Sequence, residues 1–378
     1  MNSRERTFLA LNHEEPDRVP TDLWLSEGLK RQIVGTARGA GVHARQIEAF
    51  LDAHDIDLRY IEGPRYIGPP LRRFADGSDE DIWGVRRQTV TVETPHGAET
   101  YKELLLSPLA TVTDVEQIES YDHWPSPDWF DYGDIAAQCA ALREQERVVV
   151  FMGDRLNRIA QLKPAMYLRG IDTILEDMAL RPEVARTIFS RIHRFYQEYA
   201  ERIYDAAHGL LDIVLTGDDF GAQNGPLVSP RMWEAFLGQG VAEDIALAHS
   251  YGVRVMHHTC GAVRPLIPLL IERGLDVLQS LQPEAAGMDA HALKRDFGAE
   301  LAFQGGISIQ NTMPFGSPED VRREVRDRME SLAPGGGYIL CTSHNLQADV
   351  PMENVLTLLR AYRDEGRYRR GRRQSPAS

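Results

Sequence analysis

Short runs rich in Val, Ile and Leu recur along the chain, and longer stretches with apolar positions three or four apart separate them. The runs cover residues 19–24, 56–61, 148–152, 213–216, 253–258, 275–280, 301–304 and 338–340. Runs this short, apolar on both alternations, read as buried parallel strands, and the 3.6-residue period between them reads as helices. Eight strand–helix units predict a (β/α)8 TIM-type barrel in the α/β class.

Helix punctuation agrees with this count. Ser229-Pro230 and Ser317-Pro318 each place a capping hydroxyl before a proline at the first helical position. Ser317 and Asp320 have capping-box spacing, and Val321, Val325, Met329 and Leu332 then form one apolar stripe that Gly335–Gly337 ends. Pro351 opens a last helix. At the start of the chain, Ser3 is the expected cap of a helix reaching His13, which Pro16 stops.

Residues 64 to about 130 break the rhythm. They contain PP, DG, SP and PSP turns, the alternating run QTVTVET and acidic residues at Asp79–Asp81. This reads as an insertion after the second strand, rich in hairpin signals, that covers the barrel mouth. The domain reading is one barrel over residues 1–366. Residues 367–378 carry Arg367, Arg369, Arg370, Arg372 and Arg373 and are expected to be a disordered basic tail.

Composition removes several function classes. The chain has 378 residues, 43% hydrophobic and 26% charged, which suits a soluble barrel with an insertion. No apolar run reaches the ~18 residues of a membrane span. The first residues are charged throughout and lack an apolar signal core, so a cytoplasmic location is expected. A net charge of −14 argues against a nucleic-acid partner. Three cysteines, Cys139, Cys260 and Cys341, do not make a disulfide framework.

Candidate chemistry sits where the strands end. His258 and Cys260, two apart on a strand end, point to the same side and can converge on one metal ion. Cys341 and His344 follow the last strand. A ligand from more than eighty residues away describes an open catalytic zinc site with a free position, unlike the short spacings of a zinc finger. A helix expected near Val263 would favour thiolate at Cys260. Asp218 and Asp219 follow LDIVLTG and can serve as a general base, a metal ligand or loop caps. Gly305 and Gly306 permit close backbone approach to a ligand, with Ser308 beside them. Glu62 and Asp154 also end strands. His257 faces away from His258 and reads as packed or supporting, and Cys139 lies mid-helix as a structural thiol.

Five stretches together resemble one family: SRERTFLALNHEEPDRVP, GDDFGAQNGPLVSP, MHHTCGAV, FQGGIS and GGGYILCTSHNLQADVPMENV. They are similar, in this order, to the uroporphyrinogen decarboxylase and cobalamin-dependent methyltransferase superfamily. The resemblance implies a barrel with a deep cleft for a tetrapyrrole or corrin. Decarboxylases of the family carry an early arginine-rich segment that grips substrate carboxylates, and LWLSEGLKRQIV lacks it. The His258-x-Cys260 strand end resembles the methyltransferase branch. That branch implies zinc and a third ligand about seven residues before the proline of the final segment. This is His344 by register from Pro351, or Cys341 by ligand type. The chain has no D-x-H-x-x-G cobalamin motif; Asp289-Ala290-His291 lacks the glycine. The corrinoid is therefore expected on a separate protein, with a small methylated substrate or a thiol as the other partner. A metal-free lyase acting on a porphyrinogen and a non-catalytic tetrapyrrole or corrinoid carrier are the alternatives.

Overall fold

A computed structural model gives the fold and describes residues 1–35, 40–153 and 158–368. Seven strands form one parallel sheet: β1 Leu58–Ile61, β2 Val148–Phe151, β3 Ile213–Gly217, β4 Arg254–His258, β5 Val277–Leu281, β6 Ala302–Ile307 and β7 Tyr338–Thr342. They pair in chain order, β1 beside β2 and so on to β7, with helices between them.

The expected first strand, 19–24, is extended but is not a regular member of the sheet. It lies between β7 and β1 and bonds to both sides. Leu340 N–H donates to Pro20 O at 2.9 Å, Asp22 N–H donates to Leu340 O at 3.1 Å, and Asp57 N–H donates to Thr21 O at 3.0 Å. Pro20 has no N–H to offer, and the Thr21 N–H is taken by the Asp57 carboxylate at 2.8 Å. The segment thus closes the TIM-type barrel as an eighth, irregular stave.

Inside, Leu58, Val150, Leu215, Met256, Val277 and Ile339 pack as an apolar plug beneath Trp24. Their outward neighbours pack under the helices. Two residues beyond Met256, Val277 and Ala302 on the same strands come His258, Gln279 and Gln304, all buried. The period of two therefore places a polar layer directly above the apolar one.

Helix starts follow the chemistry of their caps. The first helix, Ser3–Leu11, is capped by Asn2, with Asn2 and Glu5 forming a reciprocal box. The cap is one residue earlier than Ser3 because Glu5 stands at the third position after Asn2. The Ser317–Asp320 box and the Ser229 cap form as expected.

The insertion runs between β1 and β2. Arg65–Tyr66 pairs antiparallel with Phe130–Asp131 and holds its two ends together. Between them stands the hairpin Arg86–Thr94/Gly97–Leu106. Its buried Glu99 accepts from Ser26 Oγ at 2.5 Å and from Gly28 N–H at 3.2 Å, which fixes the hairpin to the helix Glu27–Val34. At the other end of the chain, Tyr368 packs against the core. Residues 369–378 of the expected tail lie outside the described residues. Among the described residues, no helix is long and apolar enough to cross a membrane.

Candidate metal centre

His258 ends β4 and Cys260 stands two residues on. Cys260 Sγ lies 3.5 Å from His258 Nε2. His344 reaches the same point from the loop after β7. One donor atom from each of His258, Cys260 and His344 lies within 4.8 Å of the other two. The supporting bonds aim these donors. His258 Nδ1 bonds Gln279 Oε1 and His344 Nδ1 bonds Asn345 Oδ1. An amide oxygen only accepts, so each Nδ1 carries a proton and each Nε2 is the ring nitrogen turned to the group. Two imidazole nitrogens and one thiol sulfur, with no fourth protein donor grouped with them among the described residues, fit a zinc ion with one open position.

Cys341 does not join this group. It is fully buried beside Asp22, and burial pushes its thiol well above the ordinary value. Register therefore outweighs ligand type, and His344 supplies the third donor atom. The helix expected near Val263 starts there as a 3₁₀ turn, Arg264–Leu266 with Val263 as its cap, and continues as the α-helix Ile267–Glu272. The loop before it is held by the Cys260 N–H, which donates to Asp219 Oδ1 at 3.2 Å. Gly261 has φ +84° and lies against Gly221, where a Cβ would come within 2.5 Å of backbone.

The charges around the group are coupled. Burial opposes a charged His258 ring, but the negative charges of Cys260 and Asp219 outweigh it and raise the ring to about 9. Burial lowers His344 to about 4, aided by the charge on His258. Burial likewise takes His257 down to about 3. His257 bonds Thr216 Oγ1 and stacks on Phe220, a packed histidine pointing away from the centre.

The two adjacent acids have different jobs. Asp218 is buried and accepts three backbone bonds, from the N–H groups of Gln161 at 2.7 Å, Leu162 at 2.9 Å and Lys163 at 2.6 Å. It satisfies the first turn of the helix Leu162–Arg169, the loop-capping alternative among the three roles the sequence offered. Burial lifts its carboxyl to about 6 against those three bonds. Asp218→Asn presents an N–H₂ group to one of these donors. The expected cost is about 1–3 kcal/mol of stability with zinc affinity unchanged, read by thermal denaturation and chelator competition. An unaltered melting temperature would return Asp218 to the chemistry.

Asp219 faces the metal group. It pairs with Lys163, and its Oδ1 lies 3.4 Å from His258 Nε2. Burial works against its charge, but His258 and Lys163 hold it far below the usual carboxylate range. Asp219 is thus a fixed anion and a poor base, while the proton stays on Lys163, whose ammonium the Asp219 charge stabilises against burial.

Gly305, Gly306 and Ser308 do not line the site. A Cβ on Gly305 would sit 2.9 Å from Leu281 N, and one on Gly306 would sit 3.1 Å from Arg328 Cδ. The two glycines admit β5 and the helix Pro318–Leu332. Ser308 bonds Glu284, and its N–H donates to Glu324 at 3.1 Å. Glu62 is exposed, and Asp154 lies outside the described residues.

A cavity of about 790 Å³ opens over the metal group, with Trp24, Tyr60, Arg158, Lys163, His258 and His344 on its wall. Glu99, Thr100 and Tyr101 of the inserted hairpin complete one side. Trp24 stacks on His258 at 5.8 Å and meets His344 edge-on at 6.3 Å. Sequence reasoning missed Trp24, Lys163 and Gln279. Only Gln279 left a signal, an amide inside the apolar run VLQSL.

An α/β barrel with a three-donor group at the carboxyl ends of its strands defines the class: a TIM-type barrel with its site in the usual place. Residues 107–365 match the family model described as uroporphyrinogen decarboxylase (URO-D), and the chain belongs to that family. No curated protein sequence matches the chain. Among solved structures, a methyltransferase from Methanosarcina mazei is similar over 96% of this chain and 98% of its own, at 17% identity and a TM-score of 0.67. A B12-independent methionine synthase from Shewanella sp. W3-18-1, in complex with selenomethionine, aligns over 91% and 93% at 11% identity and a TM-score of 0.46.

Proposed function

We propose that the protein is a zinc-dependent methyltransferase that moves a methyl group between a small molecule and a corrinoid carried by a separate protein. The observation that carries this reading is the donor set. His258, Cys260 and His344 offer N, S and N within 4.8 Å, and His258 and His344 line a cavity of about 790 Å³.

Zinc held there would supply Lewis acidity, lowering the pKa of a thiol or polarising the sulfur, oxygen or nitrogen that bears the methyl group. Their Nδ1 bonds leave the Nε2 atoms of His258 and His344 for the ion, which would displace the second proton that His258 otherwise holds. Asp219 balances positive charge beside the cluster. Lys163 holds a proton at Nζ, within reach of the same pocket. Trp24 shields both imidazoles from water on one side. The hairpin residues Glu99–Tyr101 narrow the entrance and shape the small-molecule end.

The cavity wall carries both signs of charge: Glu27, Glu48, Glu99, Asp218 and Asp219 stand there with Lys30, Arg59, Arg158 and Lys163. Lys30 pairs with Glu27, Arg59 with Glu48 and Lys163 with Asp219.

Elemental analysis and a corrinoid assay test the reading together. The expected result is about one zinc per chain, and a visible spectral change when cobalamin and a methylated donor or thiol are supplied. Protein without zinc that releases carbon dioxide from uroporphyrinogen would reverse it.

A further inference from the structure

The polar layer above the barrel plug contains groups that the proposed chemistry does not use. Asp22, Gln279 and Gln304 are all buried. Gln304 Nε2 donates to Asp22 Oδ2 at 2.5 Å, and the Tyr60 hydroxyl donates to the same oxygen at 2.5 Å. Gln279 and Gln304 are register partners on β5 and β6, and Gln279 is the partner of His258 on β4. Gln279 Oε1 receives the His258 Nδ1 proton. That leaves Gln279 Nε2, a donor, and Gln304 Oε1, an acceptor, both buried and both without a protein partner. The two are complementary and sit on neighbouring strands. A small rotation of the amides or one bridging water satisfies both.

With that middle link made, the path would run in one direction: the His258 Nδ1–H to Gln279, the Gln279 N–H₂ to Gln304, and the Gln304 N–H₂ to the Asp22 carboxylate. Reversing either amide would set donor against donor at His258 or acceptor against acceptor at Asp22. The carboxylate at the far end therefore fixes the orientation of both amides. The other arm from Asp22 runs through Tyr60 to the Trp24 Nε1–H at 2.6 Å, and Trp24 stacks on the same imidazole.

We propose that Asp22 is a remote positioning residue for His258. Through Gln304 and Gln279 it holds the proton on Nδ1 and leaves Nε2 for the metal. The inference rests on the reading of His258 as a zinc donor.

A double-mutant cycle on metal affinity tests it, with zinc competed against a chelator. Gln279→Leu should weaken zinc by about 10–100-fold, the usual effect of removing a ligand's hydrogen-bond partner. Asp22→Asn should weaken it by roughly 3–10-fold alone and by less than about twofold in the Gln279→Leu background, because coupled residues are not additive. In the cobalt(II)-loaded protein, the exchangeable Nδ1 proton of His258 should exchange faster with solvent in both variants. An equal loss from Asp22→Asn in both backgrounds, with an unchanged proton signal, overturns the relay while leaving the metal centre standing. If Asp22→Asn fails to fold, Gln304→Leu takes its place in the cycle: a loss that vanishes beside Gln279→Leu supports the relay, and an equal loss in both backgrounds overturns it. A wild-type protein that takes up neither zinc nor cobalt overturns the metal reading and this inference with it.

Discussion

Zinc affinity is expected to fall by roughly two to three orders of magnitude when His258, Cys260 or His344 is replaced by alanine, and by less than about threefold for Cys341→Ala. The magnitude follows from the ~10–16 kcal/mol with which structural zinc sites hold their ion, about 3–4 kcal/mol for each donor. Cys341 is excluded by geometry: its thiol is buried beside Asp22 and kept protonated. The variants should remain folded, because the apolar plug and the helix-facing core do not depend on the three donors. Chelator competition ranks the four proteins, and circular dichroism checks the fold. A loss at Cys341→Ala equal to that at His344→Ala would sink the proposed ligand set.

Asp219→Asn has the next largest effect. It removes the anion beside the centre and leaves the Lys163 ammonium near a bound dication. A unit charge ~6 Å from a dication is worth about 5–6 kcal/mol at an effective dielectric near 20. Lys163 and Asp219 are 33% and 27% exposed, and solvent reduces that figure. The expected result is zinc binding weaker by roughly thirtyfold, returning to within about fivefold of wild type when Lys163→Met is added. Isothermal titration with zinc reads both proteins. An Asp219→Asn protein with unaltered affinity would remove Asp219 from the metal's electrostatic surroundings.

The parts legible in the sequence were those governed by short-range periodicity. Seven of the eight apolar runs became strands of one sheet because each is flanked by a helix whose stripe covers it. The eighth, 19–24, is extended as expected, but Pro20 interrupts its ladder. His258 and Cys260 were readable because two residues on a strand end share a side. The choice between His344 and Cys341 was not, since both follow β7 and only the loop path separates them. Asp218 and Asp219 look alike in sequence. They part because the N–H groups of Gln161, Leu162 and Lys163 happen to meet one and the Lys163 side chain the other, a tertiary fact. Gly305-Gly306 announced a close approach correctly. What approaches is β5 and Arg328 rather than a ligand.

Barrel closure has a consequence for synthesis. Thr21 leaves the ribosome more than three hundred residues before its partner Leu340. Until Leu340 follows, the nascent sheet has an open seam, with the Pro20–Trp24 segment unmated on its β7 side. His344 emerges later still, so until then the group has only the His258 and Cys260 donors. Seam closure and completion of the metal group are therefore late events that both wait for the same short stretch of chain. A stalled or truncated product lacking that stretch would be at once unsealed and short of the third donor.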